Sequence, residues 1–442
     1  MLETFGELQK LLIPVFVFFK DWIFPVIKTW WWVLPPFLLI KPALFLWLWW
    51  RQELNFKDRK YVLLEIKLPE ETLKPIKAME DVFSTFYMTA RDQEPANFRE
   101  KWIEGMTSFF PSLSLEIASF GGETHFFIRT ETAYRDWVQS AIYSQYPDIE
   151  ILEVEDYTQF VPQDIPNEKW NLEARDWVLK KEDCYPVKTY DKFETGREPK
   201  EEKRVDPMAK LLEALSALKE GEQVWIQILL NAPKANKPGI DWIKEGEKIR
   251  DKLAKRPKST KPKPMIQEAA EILIKGPPKK KEEEEKEIIP PEMKLTPGER
   301  EIVKEVEKKI SKSGFGAVIR TIYLATSDVF FKPNFGLPVS FVLNFNTGNL
   351  NRFNYLSQTT TKVKSIFWFW DKRRAFLKKR KMFKRYIMRL TPLFPQKGGT
   401  CVLNAEELAS IFHFPGRIVA PAPFVPRVEA KKGEAPPGLP VE

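Results

Sequence analysis

The sequence predicts an α+β protein with a membrane helix or hairpin at the amino terminus, followed by two ferredoxin-like (βαββαβ) units. Three observations predict this class. The first fifty residues are predominantly apolar, later segments alternate between apolar and polar residues, and a strand–helix order appears twice. With 442 residues, of which 43% are apolar, the chain is long enough for two or three domains.

Shifts in composition divide the chain into five segments. The charged and proline-rich stretches have the composition of linkers, because they cannot bury enough apolar surface to become ordered. The segments are a membrane-anchoring segment (1–56), a first ferredoxin-like domain (57–165), a second one (166–355) with a flexible insertion (231–295), a basic aromatic segment with a short capped helix (356–415), and a proline-rich tail (416–442).

The amino-terminal segment predicts a membrane crossing. Between Trp30 and Trp50 the only charge is Lys41, and this length matches the roughly 20 residues that cross a bilayer. Indole rings favour headgroup depth, and the basic residues after Trp50 favour the cytoplasmic side. We therefore expect the inner (cytoplasmic) membrane, with the soluble part facing the cytoplasm. The predicted interface anchors are Trp30, Trp31, Trp32, Trp47, Trp49 and Trp50.

Two alternatives to a straight crossing remain open at this point. Pro35, Pro36 and Pro42 weaken a straight helix, so a re-entrant hairpin is the first alternative. The second is an apolar helix that is buried inside a soluble fold. The clustering of tryptophans at both ends of the window favours the membrane.

The first soluble unit shows the strand and helix order of a ferredoxin-like fold. Gly121-Gly122 between two alternating runs is a hairpin signal. An additional helix at about 95–110 precedes the hairpin. The predicted elements are a strand at 61–68, a helix at 70–87, strands at 113–119 and 124–130, a helix around 134–142 and a strand at 149–155.

A second, interrupted copy of this order follows. Asp206-Pro207 begins a helix, because aspartate caps the free amides and proline fits the first turn. Thr296 and Glu299 form a capping box at the start of a later helix. Strands are predicted at 223–230 and 315–325. The residues between them, about 231–295, mix lysine, glutamate and proline, and we expect a disordered charged linker.

The segment from Lys362 to Arg389 is strongly basic, with twelve lysines and arginines against the single acid Asp371 and with aromatic residues interleaved. The binding of such a segment to a phosphate backbone is favoured by counterion release, and aromatic rings stack on bases. An anionic lipid leaflet attracts the same composition, so DNA and lipid both remain open. The structural alternative is a helix with its aromatics inward and its lysines in water. The candidate contacts are Lys372, Arg373, Arg374, Lys378, Lys379, Arg380, Lys381, Lys384 and Arg385.

The sequence offers no recognisable catalytic chemistry. It lacks the G-x-x-x-x-G-K-[ST] loop that cradles nucleotide phosphates. His125 and His413 are the only histidines, and Cys184 and Cys401 are the only cysteines, with none of the spacing of a zinc site. We therefore expect neither an enzyme nor a bound cofactor or metal.

Two stretches resemble a known family. They are Thr124–Asp148 (THFFIRTETAYRDWVQSAIYSQYPD), which continues to Val154–Thr158, and Cys401–Pro415 (CVLNAEELASIFHFP). Both look like the membrane-anchored amino-terminal region of bacterial conjugative-transfer (type IV secretion) ATPase-like proteins. In that family the region precedes a hexameric DNA-pumping motor. This chain has no phosphate-binding loop, so the resemblance does not carry ATP hydrolysis over to it.

The resemblance implies a membrane-anchored, non-catalytic component of a type IV secretion-like (conjugative) translocation system, which docks a separate motor ATPase, DNA or both. The expected partners are the lipid bilayer, that ATPase, DNA and further copies of the chain as a homo-oligomer. The alternative is a general membrane scaffold without a transport role, because a fold alone does not decide function.

Overall fold

The computed structural model describes residues 28–29, 34–69, 74–91, 97–105, 113–193, 206–231, 242–254, 295–363, 368–390, 401–416 and 427–428. The chain divides into two compact units. The first comprises Met1–Lys60 and Glu94–Phe109, and the second comprises Tyr61–Gln93 and Phe110–Glu442. The predicted proline-rich tail (416–442) lies almost wholly outside the described residues.

The first unit is built around one long helix, α1 (Leu34–Asp58), which contacts a short π-helical turn (Glu100–Glu104). Two side chains of α1 form hydrogen bonds with the backbone of this turn. The Nε1 of Trp47 donates to the carbonyl oxygen of Trp102 at 2.9 Å, and the Nδ2 of Asn55 donates to that of Glu104 at 3.2 Å.

The predicted membrane crossing is not supported by this helix. No helix among the residues described here is both long and apolar enough to span a bilayer. Helix α1 continues beyond Trp50 through Arg51, Glu53 and Lys57, so its second half is charged. This finding contradicts the predicted membrane helix or hairpin, and with it the inner-membrane location that rested on it.

The described part of the second unit is dominated by one large antiparallel sheet. The strands are β1 (Tyr61–Pro69), β2 (Leu113–Phe120), β3 (Glu123–Glu131), β4 (Glu150–Val154), β5 (Trp170–Leu179), β6 (Glu222–Asn231), β7 (Gly314–Thr326), β8 (Phe353–Tyr355), β9 (Cys401–Asn404) and β10 (Arg427–Val428). Nine of them form the antiparallel sheet: eight follow one another in the order β4-β1-β3-β2-β6-β7-β5-β8, and β9 pairs along the first residues of β7. Strand β10 adds a short parallel pairing to the end of β1.

The prediction of two ferredoxin-like units is wrong, because the two halves of the chain share one continuous sheet. Strand β2 pairs with β6 along its whole length, from Leu113 opposite Leu230 to Phe120 opposite Gln223. In two separate units, both strands would have been open edges with unpaired backbone groups. The pairing satisfies those groups. Local sequence patterns predicted β1 to β4, β6 and β7 near their observed positions but missed β5, β8, β9 and β10. They also carry no information about which edges join.

One face of the sheet carries the larger apolar core, which is covered by five helices. Alternation in β2 and β6 turns Leu115, Ile117, Ile226 and Ile228 to this face. The covering helices are α2 (Ile76–Arg91), α3 (Arg135–Tyr143), α5 (Pro207–Ser216), α8 (Gly336–Leu343) and α10 (Ala405–Ile411).

Three further helices belong to the described part of this unit: α4 (Tyr190–Phe193), α6 (Trp242–Leu253) and α7 (Pro297–Ser311). Helix α6 lies inside the segment predicted to be a disordered linker, and it packs on α7. Trp242, its first residue, is buried and lies against the backbone of Gly314. The rest of the insertion lies outside the described residues.

The opposite face of the sheet is covered by helix α9 (Asp371–Ile387). Met382, Phe383 and Tyr386 of this helix join a second apolar cluster, together with Trp225 of β6 and Ile322 of β7. The indole of Trp225 lies 5.2 Å from the ring of Tyr386 and 6.3 Å from that of Phe383, between ring centroids. The basic segment is therefore attached to the fold by its aromatic residues.

Replacing Phe383, which is 1% exposed, should show how strongly α9 is held. Phe383→Ala removes a buried ring between helix and sheet, so we expect it to lower the free energy of unfolding by about 3–5 kcal/mol. Chemical denaturation followed by circular dichroism measures this loss. Phe376→Ala on the same helix, where the ring is 40% exposed, should cost less than about 1 kcal/mol. Equal losses in the two variants would contradict the described packing.

Candidate anion-binding surface on helix α9

Helix α9 ends in a backbone motif that normally uses glycine. The amide of Arg389 donates to the carbonyl of Tyr386, and the amide of Leu390 donates to that of Arg385. These two bonds are those of a Schellman C-cap. Arg389 occupies its left-handed position with φ of 50°, which costs a non-glycine residue about 1–2 kcal/mol. Its side chain must make contacts that offset this strain.

The guanidinium of Arg389 binds two carboxylates of the sheet face at once. Its Nε and one terminal nitrogen donate to the two oxygens of Glu116 at 3.0 and 3.2 Å. Its two terminal nitrogens also donate to both oxygens of Asp156, and one donates to the carbonyl of Ile387 at 2.9 Å. All five N–H groups of the side chain thus have acceptors. Arg389 therefore connects the end of α9 to β2 through Glu116 and to the segment after β4 through Asp156.

Glu116 is fully buried, and its charge depends on this contact. Burial by itself raises the pKa of a carboxyl group, but the charge and hydrogen bonds of Arg389, with hydrogen bonds from Ser114 and Tyr157, hold the pKa of Glu116 below its ordinary value. The pKa of Asp156 is lowered as well, against its own burial, by Arg389 and Thr158. Both groups are therefore ionised in the folded protein at neutral pH.

A second polar chain continues from Glu116 toward the middle of the sheet. The side-chain Nε2 of Gln227 donates to Glu116 at 3.0 Å, and its Oε1 accepts from Arg320 at 3.2 Å. Arg320 also donates to Asp176 at 2.6 Å and to the carbonyl of Leu390 at 2.9 Å. The sheet thus holds the residues that follow α9 at two points, through Arg389 and through Arg320.

The outward face of α9 carries most of the predicted contact residues. Exposed cations on it are Lys372, Arg373, Arg374, Arg380, Lys381 and Lys384. None of them forms an ion pair with a carboxylate in the described part of the chain. The guanidinium of Arg373 lies 5.9 Å from the ring of Trp370, and that of Arg380 lies 5.6 Å from Phe376. Both rings are themselves exposed.

Three of the predicted residues, Lys378, Lys381 and Arg385, lie together on one flank of α9. They share a cleft of about 170 Å³ with Met382 of the same helix and with the segment that follows β8. The whole lining is Gln358, Thr359, Lys378, Lys381, Met382 and Arg385.

Lys379 belongs to a different environment from the other predicted contacts. Its Nζ lies 3.0 Å from Oδ1 of Asn171 and 3.1 Å from a carboxylate oxygen of Glu173, both on β5. Its charge is therefore neutralised within the fold. Arg389, which the sequence placed in the basic segment without assigning it as a contact, is also turned inward. Charge density along the sequence could not separate these two residues from their solvent-facing neighbours.

The predicted tryptophan anchors are divided between described and undescribed parts. Trp30, Trp31 and Trp32 lie outside the described residues. Trp47, Trp49 and Trp50 lie on α1 with about half of each side chain exposed. Trp47 and Trp50 contact each other edge to face, with ring centroids 5.4 Å apart.

Both histidines have structural partners. His413 is buried, with Nδ1 2.8 Å from the carbonyl oxygen of Ala409 and Nε2 2.8 Å from Asp206, the residue that caps α5. His125 Nδ1 lies 2.6 Å from Glu65. No group of three or more histidine, cysteine or acidic side chains suited to a metal ion occurs among the residues with described positions.

The two stretches that carry the family resemblance pack against each other in the larger core. The ring of Phe126 on β3 lies 6.0 Å from Phe412 and 5.9 Å from Phe414, both edge to face, and Tyr146 lies 5.1 Å from Phe414. Asn404 and Glu407 form the capping box that begins α10. These residues therefore contribute to the packing of the larger core and to the start of α10.

Removing the Arg389 side chain should be costly. Arg389→Met leaves the buried Glu116 without its countercharge, so we expect a loss of about 3–5 kcal/mol in the free energy of unfolding, measured by urea denaturation. The double variant Glu116→Gln/Arg389→Met lacks the uncompensated charge and should recover part of this loss. A double variant that is less stable than Arg389→Met would contradict the assignment.

The carboxylates of Glu116 and Asp156 should make the stability of the fold sensitive to acid. Because the folded pKa values of Glu116 and Asp156 lie below the unfolded values of about 4.3 and 3.9, their contribution is complete above the unfolded pKa values and is lost as the pH falls through the folded ones. Urea denaturation between pH 7 and pH 3 should show a steep decline in the wild type. The decline should be shallower in Arg389→Met, and equal slopes would contradict this prediction.

Comparison with known proteins places the middle of the chain in a family. No curated protein sequence matches the chain, and no solved structure does. Residues 95–329, which run from before β2 to just beyond β7, match the family model described as a domain of unknown function, DUF8128. Helix α9 lies outside the matched residues. Because the match covers more than half of the 442 residues, the chain belongs to the DUF8128 family.

Proposed function

We propose that this protein is a non-catalytic, DNA-docking component of a type IV secretion-like translocation system, in which a separate motor ATPase supplies the energy. One observation is the main support for the DNA-binding part of this proposal. A helix that is fixed to the sheet by its apolar side presents a row of cations to solvent, and within the described chain no carboxylate pairs with those cations.

The geometry of α9 suits a phosphate backbone. Seventeen helical residues extend about 25 Å at 1.5 Å per residue, and a DNA duplex carries one negative charge per roughly 1.7 Å of its axis. Arg373, Arg380 and Lys384 follow one another at spacings of seven and four residues, so they lie along one line of the helix. Several phosphates of one duplex can therefore contact the helix at once.

The packing of α9 favours DNA over a lipid surface. A helix that lies in a bilayer interface inserts its apolar face between the acyl chains. In α9 the apolar residues of the carboxyl-terminal half that face the sheet are already buried, since Met382, Phe383 and Tyr386 are at most 1% exposed. The rings that remain exposed, Phe369, Trp370 and Phe376, lie at the amino-terminal end of the segment.

The translocation role rests on the resemblance of Thr124–Asp148 and Cys401–Pro415 to conjugative-transfer ATPase-like proteins. The contact between these two stretches in one core supports reading them as parts of a shared fold, since Phe126 and Phe412 come from distant parts of the sequence. The absence of a phosphate-binding loop from the sequence is the reason for proposing a separate motor.

Neutralising the outward cations should weaken DNA binding. The variant Arg373→Gln/Arg380→Gln/Lys384→Gln removes three phosphate contacts, so the slope of log K against log salt should become less negative by up to about 2.7, at about 0.9 per contact. We expect at least about a tenfold weaker affinity for a 20-base-pair duplex at low salt. Fluorescence anisotropy over a salt series measures both quantities.

A matched variant removes the same charge from the other face of the sheet. Lys77, Lys210 and Lys219 are exposed on α2, on α5 and after α5, and their triple replacement by glutamine should change the affinity by less than about twofold. Equal losses in both triple variants would show non-specific attraction. Binding to phosphatidylserine vesicles without binding to the duplex would overturn the DNA assignment in favour of a lipid surface.

A further inference from the structure

The cleft on the flank of α9 differs from the outward surface in its shape and in its surroundings. It lies between the carboxyl-terminal half of the helix and the segment after β8, where Thr359 and Gln358 form the opposite wall. That wall is fixed to the sheet, because the amide of Leu356 donates to the carbonyl of Asp176 at 2.8 Å and the hydroxyl of Thr361 donates to Glu173 at 2.6 Å. The cleft is therefore preformed.

The cations of the cleft lack partners although two of them are partly buried. Lys378, Lys381 and Arg385 make no ion pair within the described part of the chain. Burial lowers the pKa of Lys378, and Arg374 lowers it further. Burial also lowers the pKa of Arg385, with Arg320 acting in the same direction and Asp176 opposing both.

Asp176 and Glu173, the acidic residues of β5 beside the wall of the cleft, already bind other cations. Asp176 is bound by Arg320 at 2.6 Å, and Glu173 accepts from Lys332 at 2.9 Å and from Lys379 at 3.1 Å. Three positive charges therefore share a cleft without an anion of the protein among them. Partly buried like charges disfavour their own ionised forms, and a bound anion relieves that cost.

We propose that this cleft binds a single phosphate group. A phosphate monoester carries a charge of about −1.5 to −2 at pH 7 and three strong acceptor oxygens, which match three cationic donors. Arg385 supplies a planar fork for two of the oxygens, Lys378 and Lys381 supply point charges, and the side-chain amide of Gln358 supplies a neutral donor. The lining suits a compact anion, because its cations lie on successive turns of one helix.

This inference goes beyond the proposed function, since it requires neither DNA nor a motor. The outward row, represented by Arg373, Arg380 and Lys384, follows a long polyanion across an open surface. The cleft is confined to one flank of the helix and includes none of those three residues. The two features are thus separable by substitution, and either proposal can fail while the other stands.

Isothermal titration with inorganic phosphate tests the site, in a chloride buffer of constant ionic strength. We expect saturable binding with one phosphate per chain. Lys378→Gln/Arg385→Gln removes two charged donors, and each such hydrogen bond is worth about one factor of ten or more, so the affinity should fall at least about tenfold. Arg380→Gln/Lys384→Gln, with the same loss of charge outside the cleft, should stay within about twofold of the wild type.

Two further measurements keep the result interpretable. Circular dichroism checks that both double variants are folded, and Lys381→Gln, at an exposed position, provides a milder test with an expected loss of about threefold. Titration with deoxyadenosine 5′-monophosphate separates the sources of the ligand, since equal affinity for both compounds indicates a phosphomonoester and binding of phosphate alone indicates the free ion. Absence of saturable phosphate binding by the wild type, or equal losses in the two double variants, overturns the proposal.

Discussion

A sheet with two apolar faces must have both of them covered, and in the described part of this protein the second face is covered by α9 together with Tyr157, Val161 and Ile165 of the segment after β4. The contact between α9 and the sheet combines aromatic packing around Trp225 with a buried ion pair between Arg389 and Glu116. Because the side of α9 that carries Met382, Phe383 and Tyr386 is committed to this contact, most of its cations face solvent. The candidate anion-binding surface on α9 is therefore a consequence of how this face of the sheet is covered.

The ion network also explains an unusual backbone position. Arg389 adopts the left-handed conformation at the end of α9, where glycine is the usual residue. Glycine would relieve the strain but would leave Glu116 and Asp156 without their common partner. A buried carboxylate without a countercharge costs more than the strain of one residue. The backbone strain at Arg389 is thus offset by its ion pairs with Glu116 and Asp156, which fix the position of the helix end.

Periodicity and turn chemistry in the sequence located much of the local structure. The alternation at 61–68, the glycine pair at Gly121-Gly122 and the capping box of Thr296 and Glu299 correspond to β1, to the turn between β2 and β3, and to the start of α7. Each of these signals acts within a few residues, which is why it can be recognised in the chain alone. The amino-terminal prediction failed because apolar composition over Trp30–Trp50 does not reveal that α1 continues into a charged half.

The sequence by itself determined the alternation of the strands, the caps of the helices and the presence of a dense basic segment, because these depend on neighbouring residues. Only the tertiary structure decided that β2 and β6 join the two halves into one sheet, and that Glu116 lies under α9 instead of in water. It also decided that Lys379 and Arg389 turn inward while Lys378, Lys381 and Arg385 share a cleft. These outcomes depend on contacts between residues far apart in the chain, which short-range patterns do not encode.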